Sequence, residues 1–427
     1  MKVLIVGGGG REHAIALKIK ENPEVTALYA APGNGGIAQI ATCLPFKATD
    51  VDGIVRWAAE NKVDFVIVAP DDPLCLGMVD ALAEQGIPAF GPRKNAAIIE
   101  GSKVFSKNLM KKYGIPTAAY ETFDDYDAAV KYLQTADMPI VVKADGLALG
   151  KGVLICPDRD SAVEAVASMM KEAKFGASGA RVVIEEFLTG PEVSVLAFTD
   201  GKTVKPMVSS MDHKRALDHD EGLNTGGMGT IAPNPCYTPE LARRCMDEIF
   251  LPTIAAMNAE GRTFTGCLYF GLMMTPKGPK VIEYNCRFGD PETQVVRPLL
   301  KSDLLTIMRA TVDGTLADTP VEFASGAACC VVLASGGYPV SYKSGYPISG
   351  LDEAGKTATV FHAGTKLVDG QIVTAGGRVL GVTATANTLE AAIDKAYQAA
   401  DKITFTDMHM RRDIGQRALA SRKESHS

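Results

Sequence analysis

The sequence has no excess of basic residues: 44 Lys and Arg stand against 50 Asp and Glu over 427 residues, a formal net charge of -6. A nucleic-acid partner needs a basic surface that releases phosphate counterions, so that class is excluded. Anionic small molecules have to be met by local Lys and Arg. The nine cysteines contain no CxxC or Cys/His spacing, which excludes an ordinary zinc site. They read as reduced, buried thiols, the adjacent Cys329 and Cys330 included. No long apolar run opens the chain: Val3 to Val6 is followed at once by Gly7 to Gly10, too short for a secretory signal or a membrane span. A cytoplasmic protein with no membrane partner is expected.

Two phosphate-binding signatures are also missing. A GxGxxG fingerprint read from Gly7 ends on Glu12, and read from Gly8 it ends on His13. The second apolar run, Val25 to Ala30, leads into Ala31-Pro32-Gly33-Asn34-Gly35-Gly36 and not into the acid that would hold a ribose, so a nicotinamide or flavin site fails. GxxxxGK[ST] is absent, which excludes an ordinary Walker site. Two readings of Gly7 to Gly10 stay open: an anion site made of glycine amides and a helix amino end, or a turn needed only for close packing.

What is present is the composition of an ordinary globular protein, 46% hydrophobic and 22% charged. The length suits roughly two to four domains, because single cores stop growing near ~250 residues. Apolar runs at Val3 to Val6, Val25 to Ala30, Phe65 to Val68 and Pro88 to Phe90 alternate with helical stretches at Glu12 to Lys20, Asp52 to Asn61 and Leu74 to Gln85. That alternation predicts a doubly wound parallel α/β sheet over residues 1–102. Strands at Ile140 to Lys143, Gly152 to Ile155, Val182 to Glu186, Glu192 to Phe198 and Val204 to Met207, with helices at Ser102 to Tyr113 and Ser161 to Ala173, predict an α+β domain over 103–326. Asp212 to Pro235 shows no period and reads as a long irregular loop. Glu240 to Asn258 and Gln294 to Ala310 read as single helices around a hairpin of Cys267 to Met274 and Lys280 to Asn285. A small carboxyl-terminal α+β domain is predicted over 327–420, with a polar tail at 421–427.

Chemistry concentrates in a few places. Lys143-Ala144-Asp145-Gly146 through Gly150-Lys151-Gly152 sits between two strands, where glycines allow a loop to close and two lysines carry charge suited to phosphate oxygens. Glu185-Glu186-Phe187-Leu188, followed by Gly190-Pro191-Glu192, ends a strand whose backbone could meet an adenine, with Glu192 on ribose hydroxyls. In Glu283-Tyr284-Asn285 the period of two puts both oxygen donors on one face, suited to magnesium beside nucleotide phosphates, and Arg287 is placed to meet an anion. Asp212-His213-Lys214-Arg215 and Asn224-Thr225-Gly226-Gly227 read as a substrate-contacting loop in which His213 could titrate near neutrality.

These pieces resemble the ATP-grasp superfamily and, within it, the phosphoribosylamine–glycine ligases. GGGGREHA at Gly7 to Ala14, PGNGG at Pro32 to Gly36, EGSKVFSK at Glu100 to Lys107, KADGLALGKGV at Lys143 to Val153, EEFLTGPEVS at Glu185 to Ser194, DHKR at Asp212 to Arg215, NTGGMG at Asn224 to Gly229 and EYNCRFGDPET at Glu283 to Thr293 follow the family's order, as do HAGT at His362 and GGRVLGVT at Gly376. The resemblance implies an ATP-grasp fold between the two flanking domains, with a mobile lid over about 121–190. It implies ligation of glycine to 5-phosphoribosylamine with ATP and Mg2+ or Mn2+ in purine biosynthesis, by a monomer or weak homodimer. It puts Lys103, Lys143, Gly146, Gly150, Lys151, Gly152, Glu185, Glu186, Phe187, Leu188 and Glu192 on ATP, and Glu283 with Asn285 on the metal. It puts Gly10, Asn34, Gly35, Gly36, Asp212, Gly226, Gly227, Arg287, Pro291 and Glu292 on the other substrates, with Lys143, Arg287 and Asp212 catalytic. Two departures stand out: Ala69-Pro70-Asp71 replaces the family's usual Gly-Pro-Glu, and Cys267 to Met274 holds no carboxylate where many relatives carry a metal ligand.

Overall fold

The computed structural model describes residues 1–148, 152–172 and 174–424. The first sheet is fully parallel, in the order Thr42–Cys43, Ala27–Pro32, Lys2–Gly7, Phe65–Val68, Ala89–Phe90. Val3, Leu4, Ile5 and Val6 are all fully buried, because helices cover both faces and leave no polar side. The chain leaves Lys2–Gly7 first toward Ala27–Pro32 and later returns to its other side at Phe65–Val68. Its carboxyl end is thus the point where strand order reverses, and a crevice for ligand opens there, at Gly7 to Gly10.

A second unit is the antiparallel sheet Tyr120–Phe123, Val182–Glu186, Ile140–Ala144, Val153–Cys156 with the helices Tyr126–Leu133 and Arg159–Met170 on one face. Ile140, Val142, Ala144, Val182 and Ile184 pack with Leu133, Val166 and Met169 into a core of their own. The alternate residues of the same strands, Lys143 and Glu185 among them, turn the other way. That face meets the antiparallel sheet Val204–Pro206, Glu192–Thr199, Gly266–Thr275, Gly278–Asn285. Between the two stands the helix Lys103–Tyr113, capped by the Ser102 hydroxyl on Phe105 N and stopped by Gly114 at φ 68°.

Three expectations are corrected here. The helix read over Leu74 to Gln85 is two helices, Asp71–Cys75 and Met78–Glu84, broken where Gly77 takes φ 89°. The helix read over Gln294 to Ala310 is also two, Thr293–Leu299 and Leu304–Asp313. The second is started by Asp303, whose carboxylate accepts from Thr306 N. The irregular loop read over Asp212 to Pro235 contains a hairpin, Arg215–Leu217 with Glu221–Asn224, and a strand, Gly229–Ala232. That strand and Met211–Asp212 join Ala327–Ala334, Arg378–Ala386 and Thr359–His362 in one antiparallel sheet. Strand pairing therefore crosses the boundary expected at 326/327, and the carboxyl-terminal strands carry residues 211–232 with them. No helix among the described residues is long and apolar enough to cross a membrane.

Candidate functional site

The cleft between the two antiparallel sheets is lined with cations. Val141 pairs with Glu185 and Lys143 with Val183, so Lys143 and Glu185 share the face turned away from that sheet's own core. Glu185 binds Lys143 through one oxygen and Lys107 through the other, the latter at 2.7 Å, with all three side chains at least 94% buried. Burial alone would push the Glu185 carboxyl up; Lys143 and Lys107 outweigh it and hold it below the usual range. Burial lowers Lys107 to about 8 against the pull of Glu185. Lys143 also donates to Ile282 O at 3.3 Å, and Lys103 donates to Gly146 O at 2.9 Å. Gly152 accepts from Ala144 N at 2.8 Å. Gly150 and Lys151 lie outside the described residues. At the cleft mouth Glu186 is exposed and paired with Lys280 at 3.1 Å, Phe187 is exposed and Leu188 half-buried.

Across the cleft, Glu283 pairs with Gly271 and Asn285 with Tyr269, which confirms that the two oxygen donors share one face. Gly271, on the strand that holds no carboxylate, lies opposite Glu283, and a Cβ there would come within 2.9 Å of Glu283 Cγ. Lys214 Nζ lies 3.7 Å from Glu283 and 3.6 Å from Glu192. Burial would raise the Glu283 carboxyl, and Lys214, Lys143 and Lys103 together hold it down. Two neighbouring hard oxygens fit Mg2+ or Mn2+ better than a softer ion. Among the described residues no group of three or more His, Cys, Asp or Glu could hold a metal alone, so ligand oxygens would have to complete such a site.

The remaining expected residues gather beyond Glu283. Arg287 pairs with Glu100 at 3.1 Å and donates to Asn285 Oδ1 at 3.3 Å, while Glu100 also accepts from Cys286 N at 2.7 Å. Burial would raise Asp71, and Arg287 and Arg11 outweigh it, so the shorter acid still lies in the field of Arg287. Glu292 accepts from Tyr269 OH at 3.0 Å. Asp212 accepts from His213 N at 2.7 Å and faces Gly227 and Pro291. Burial pushes both carboxyls up, and Glu292 raises Asp212 further. His213 does not join them: Gly415 N donates to its Nε2 at 3.1 Å and Nδ1 meets Gly229 O at 3.0 Å. Burial lowers it to about 4, which corrects the expectation of titration near neutrality.

At the switch point of the parallel sheet a cavity of about 320 Å³ is lined by Gly8, Gly9, Asn34, Asp290, Thr365 and Arg378. Asn34 Nδ2 donates to Gly8 O at 2.9 Å and His362 O at 2.8 Å, while its Oδ1 accepts from Gly36 N and Ile37 N. Gly35 N donates to Thr365 O at 3.1 Å. Gly10 packs so closely that a Cβ would lie 2.4 Å from Gln294 Nε2. Arg378 joins this cavity to the rest of the site, donating to Gly226 O and Asp290 O, each at 2.8 Å. Among the described residues, Arg378 and Asp290 thus link this cavity to the Gly226–Gly227 turn. Neither of these was singled out from the sequence, nor were Lys107, Glu100 and Lys214. All five lie inside the quoted motifs, which was the available signal.

Profiles of the phosphoribosylglycinamide synthetase N, ATP-grasp (A) and C domains match residues 1–100, 101–293 and 328–417. A phosphoribosylamine–glycine ligase of Halalkalibacterium halodurans is 48% identical over 100% of this chain and 99% of its own. The crystal structure of a phosphoribosylamine–glycine ligase from Thermotoga maritima superposes with a TM-score of 0.86 at 34% identity, over 97% of this chain and 100% of that one. The biotin carboxylase domain of Hydrogenobacter thermophilus 2-oxoglutarate carboxylase, solved with MgADP, ADP and bicarbonate, shares the fold alone, with a TM-score of 0.73 at 17% identity over 96% and 91% of the two chains.

Proposed function

The chain belongs to the phosphoribosylglycinamide synthetase family, and from that premise we infer how its cleft works. It is an ATP-dependent ligase that joins glycine to 5-phosphoribosylamine, giving glycinamide ribonucleotide, ADP and phosphate, the second step of de novo purine biosynthesis. The glycine carboxylate attacks the γ-phosphate, and the glycyl phosphate so formed is attacked by the amine. No protein nucleophile is needed, so the chain's work is positioning and charge neutralisation. The observation that carries this reading is the convergence of Lys103, Lys143 and Lys214 on the carboxylates Glu185, Glu192 and Glu283 across one cleft.

In this reading Lys103, Lys143 and the loop of Gly146 to Gly152 take the phosphates, and Glu185 to Leu188 with Glu192 form the nucleoside side. Glu283 and Asn285 would hold Mg2+ or Mn2+, which supplies charge neutralisation between the phosphates when bound. Arg287, fixed by Glu100, faces the anionic oxygens of the transferring group. Gly10, Asn34, Gly35 and Gly36 line the phosphoribosylamine side, and Arg378 supplies a cation there. Of the neighbouring carboxyls Asp212 and Glu292, both raised by burial, the one that is ionised receives the proton that the attacking amine loses. Residues 121–190 act as a lid whose separate core lets it close as a body and exclude water from the acyl phosphate. The enzyme acts in the cytoplasm as a monomer or weak homodimer. Coupled ADP release tests the reading: it should require glycine and phosphoribosylamine together, and equal release with bicarbonate in place of glycine would refute it.

A further inference from the structure

Glu283 is already paired by a cation that the chain itself supplies. Lys214 Nζ stands 3.7 Å from Glu283 Oε1 and 3.6 Å from Glu192 Oε2, and Arg287 Nη2 donates to Asn285 Oδ1 at 3.3 Å. The backbone beneath Lys214 is pinned: its carbonyl accepts from Thr225 N at 2.7 Å and from Thr225 Oγ1 at 2.8 Å. The preceding residue, His213, is held through both ring nitrogens by Gly229 and Gly415. Only the four-carbon stem of Lys214 is left to move. Besides Glu283, the groups in its field are Glu192, Tyr269 and Asp212.

We propose that Lys214 is an internal counter-cation that closes Glu283 to divalent metal until nucleotide arrives, so that metal enters with ATP or after it and not before. This rests on the reading of Glu283 and Asn285 as the metal donors. A dication and an ammonium within about 4 Å of one carboxylate repel each other, and in this half-exposed cleft the repulsion is only partly screened, so Lys214 weakens the hold of Glu283 on metal. Metal alone therefore has to take Glu283 from Lys214 and leave that ammonium with Glu192 as its one remaining contact carboxylate. Nucleotide changes the balance in two ways. Its phosphate oxygens supply the ligands that two protein donors leave missing, and its negative charge draws the lysines off the carboxylates. Lys214 then stays tethered by Glu192, on the side of the reacting centre where Asp212 lies. Lys103, Lys143 and Arg287 also act on Glu283, but Lys214 acts most strongly.

Binding of Mn2+ to the full-length chain without nucleotide, followed by the electron paramagnetic resonance signal of the free ion, tests this without turnover. Lys214→Met should bind Mn2+ about tenfold more tightly than wild type, a coupling of ordinary size. Lys214→Arg keeps the charge and should behave like wild type, which separates charge from packing. A non-hydrolysable ATP analogue should bring wild type and Lys214→Met to within about threefold of each other. Equal affinities of wild type and Lys214→Met without nucleotide would overturn the proposal. If Glu283→Gln loses Mn2+ in the presence of the analogue, that failure leaves the metal reading standing. Retention of Mn2+ by Glu283→Gln under the same conditions would overturn both.

Discussion

Lys143 and Glu185 are diagonal neighbours on the cleft-facing side of one sheet, because Val141 pairs with Glu185 while Lys143 pairs with Val183. Glu185 holds Lys107 as well, so one buried carboxylate compensates two buried ammoniums. Removing it leaves Lys107 and Lys143 without the one carboxylate that touches both. Glu185→Gln should therefore cost about 3–5 kcal/mol of folding stability, the usual penalty for breaking a buried pair. Chemical denaturation at neutral pH measures it, and a loss below about 1 kcal/mol would show that water or another group already shares the charge.

Lys143 also reaches across the cleft to Ile282 O, which places its ammonium between the two sheets. Charge placed where phosphoryl transfer develops negative oxygen is worth roughly 3–4 kcal/mol of barrier. Lys143→Met should lower kcat/KM by a factor of several hundred to a thousand, by about that amount. ATP affinity, measured by equilibrium binding, should fall much less. Turnover at the wild-type level would remove Lys143 from the chemistry.

The parts of this arrangement that could be read in advance are those written in local sequence. Val3 to Val6 and Phe65 to Val68 are unbroken apolar runs because both faces of a parallel sheet are buried. Glu283 and Asn285 were legible because alternation along a strand needs no partner to be seen. Gly229–Ala232 was not legible: four residues carry no visible period, and the partner strand, Ala327–Ala334, lies about a hundred residues away. Arg378 and Lys214 were missed for a related reason. A basic residue in a polar stretch looks solvated until the fold places carbonyls or carboxylates around it.

Arg378 donates to Gly226 O, Gly227 O and Asp290 O at 2.8, 3.4 and 2.8 Å through one nitrogen, with Asp290 Oδ1 3.7 Å from the other. A lysine cannot reproduce a planar fork that ties two loops together. Arg378→Lys should raise KM for phosphoribosylamine at least tenfold, and ATP binding should stay within about twofold. Steady-state kinetics with each substrate varied separately decides it. A change confined to ATP would place Arg378 outside the phosphoribosylamine side.

Gly227 has φ 120°, and a Cβ there would lie 2.5 Å from Pro291 Cδ and 2.6 Å from Asp212 Oδ1. Both the backbone conformation and the space demand glycine. Gly227→Ala should cost about 1–3 kcal/mol of stability and most of the activity, because relief of the clash moves Asp212 or Pro291. A fully active Gly227→Ala enzyme would mean that Asp212 tolerates displacement and is not the proton acceptor.

His13, His213 and His362 are buried, and burial lowers them to about 3, 4 and 4. Hydrogen bonding supports the neutral forms: His362 N donates to His13 Nδ1 at 2.8 Å, and Gly415 N donates to His213 Nε2 at 3.1 Å. A depressed folded pKa contributes stability that is complete above the unfolded value, near 6.5, and is lost as pH falls toward the folded one. Between about pH 6.5 and 4 the unfolded chain takes up protons that the folded chain refuses, so each histidine should remove about 1.4 kcal/mol per pH unit. The raised carboxyls of Asp212 and Glu292 act in the opposite sense, so the total slope is smaller than the sum over the histidines. A substitution isolates one contribution. His213→Gln should lower stability at pH 7, through loss of its paired ring nitrogens, yet flatten the fall between pH 6.5 and 4 by about 1.4 kcal/mol per unit. Denaturation midpoints across that range measure both effects, and an unchanged slope would show that His213 is protonated in the folded chain.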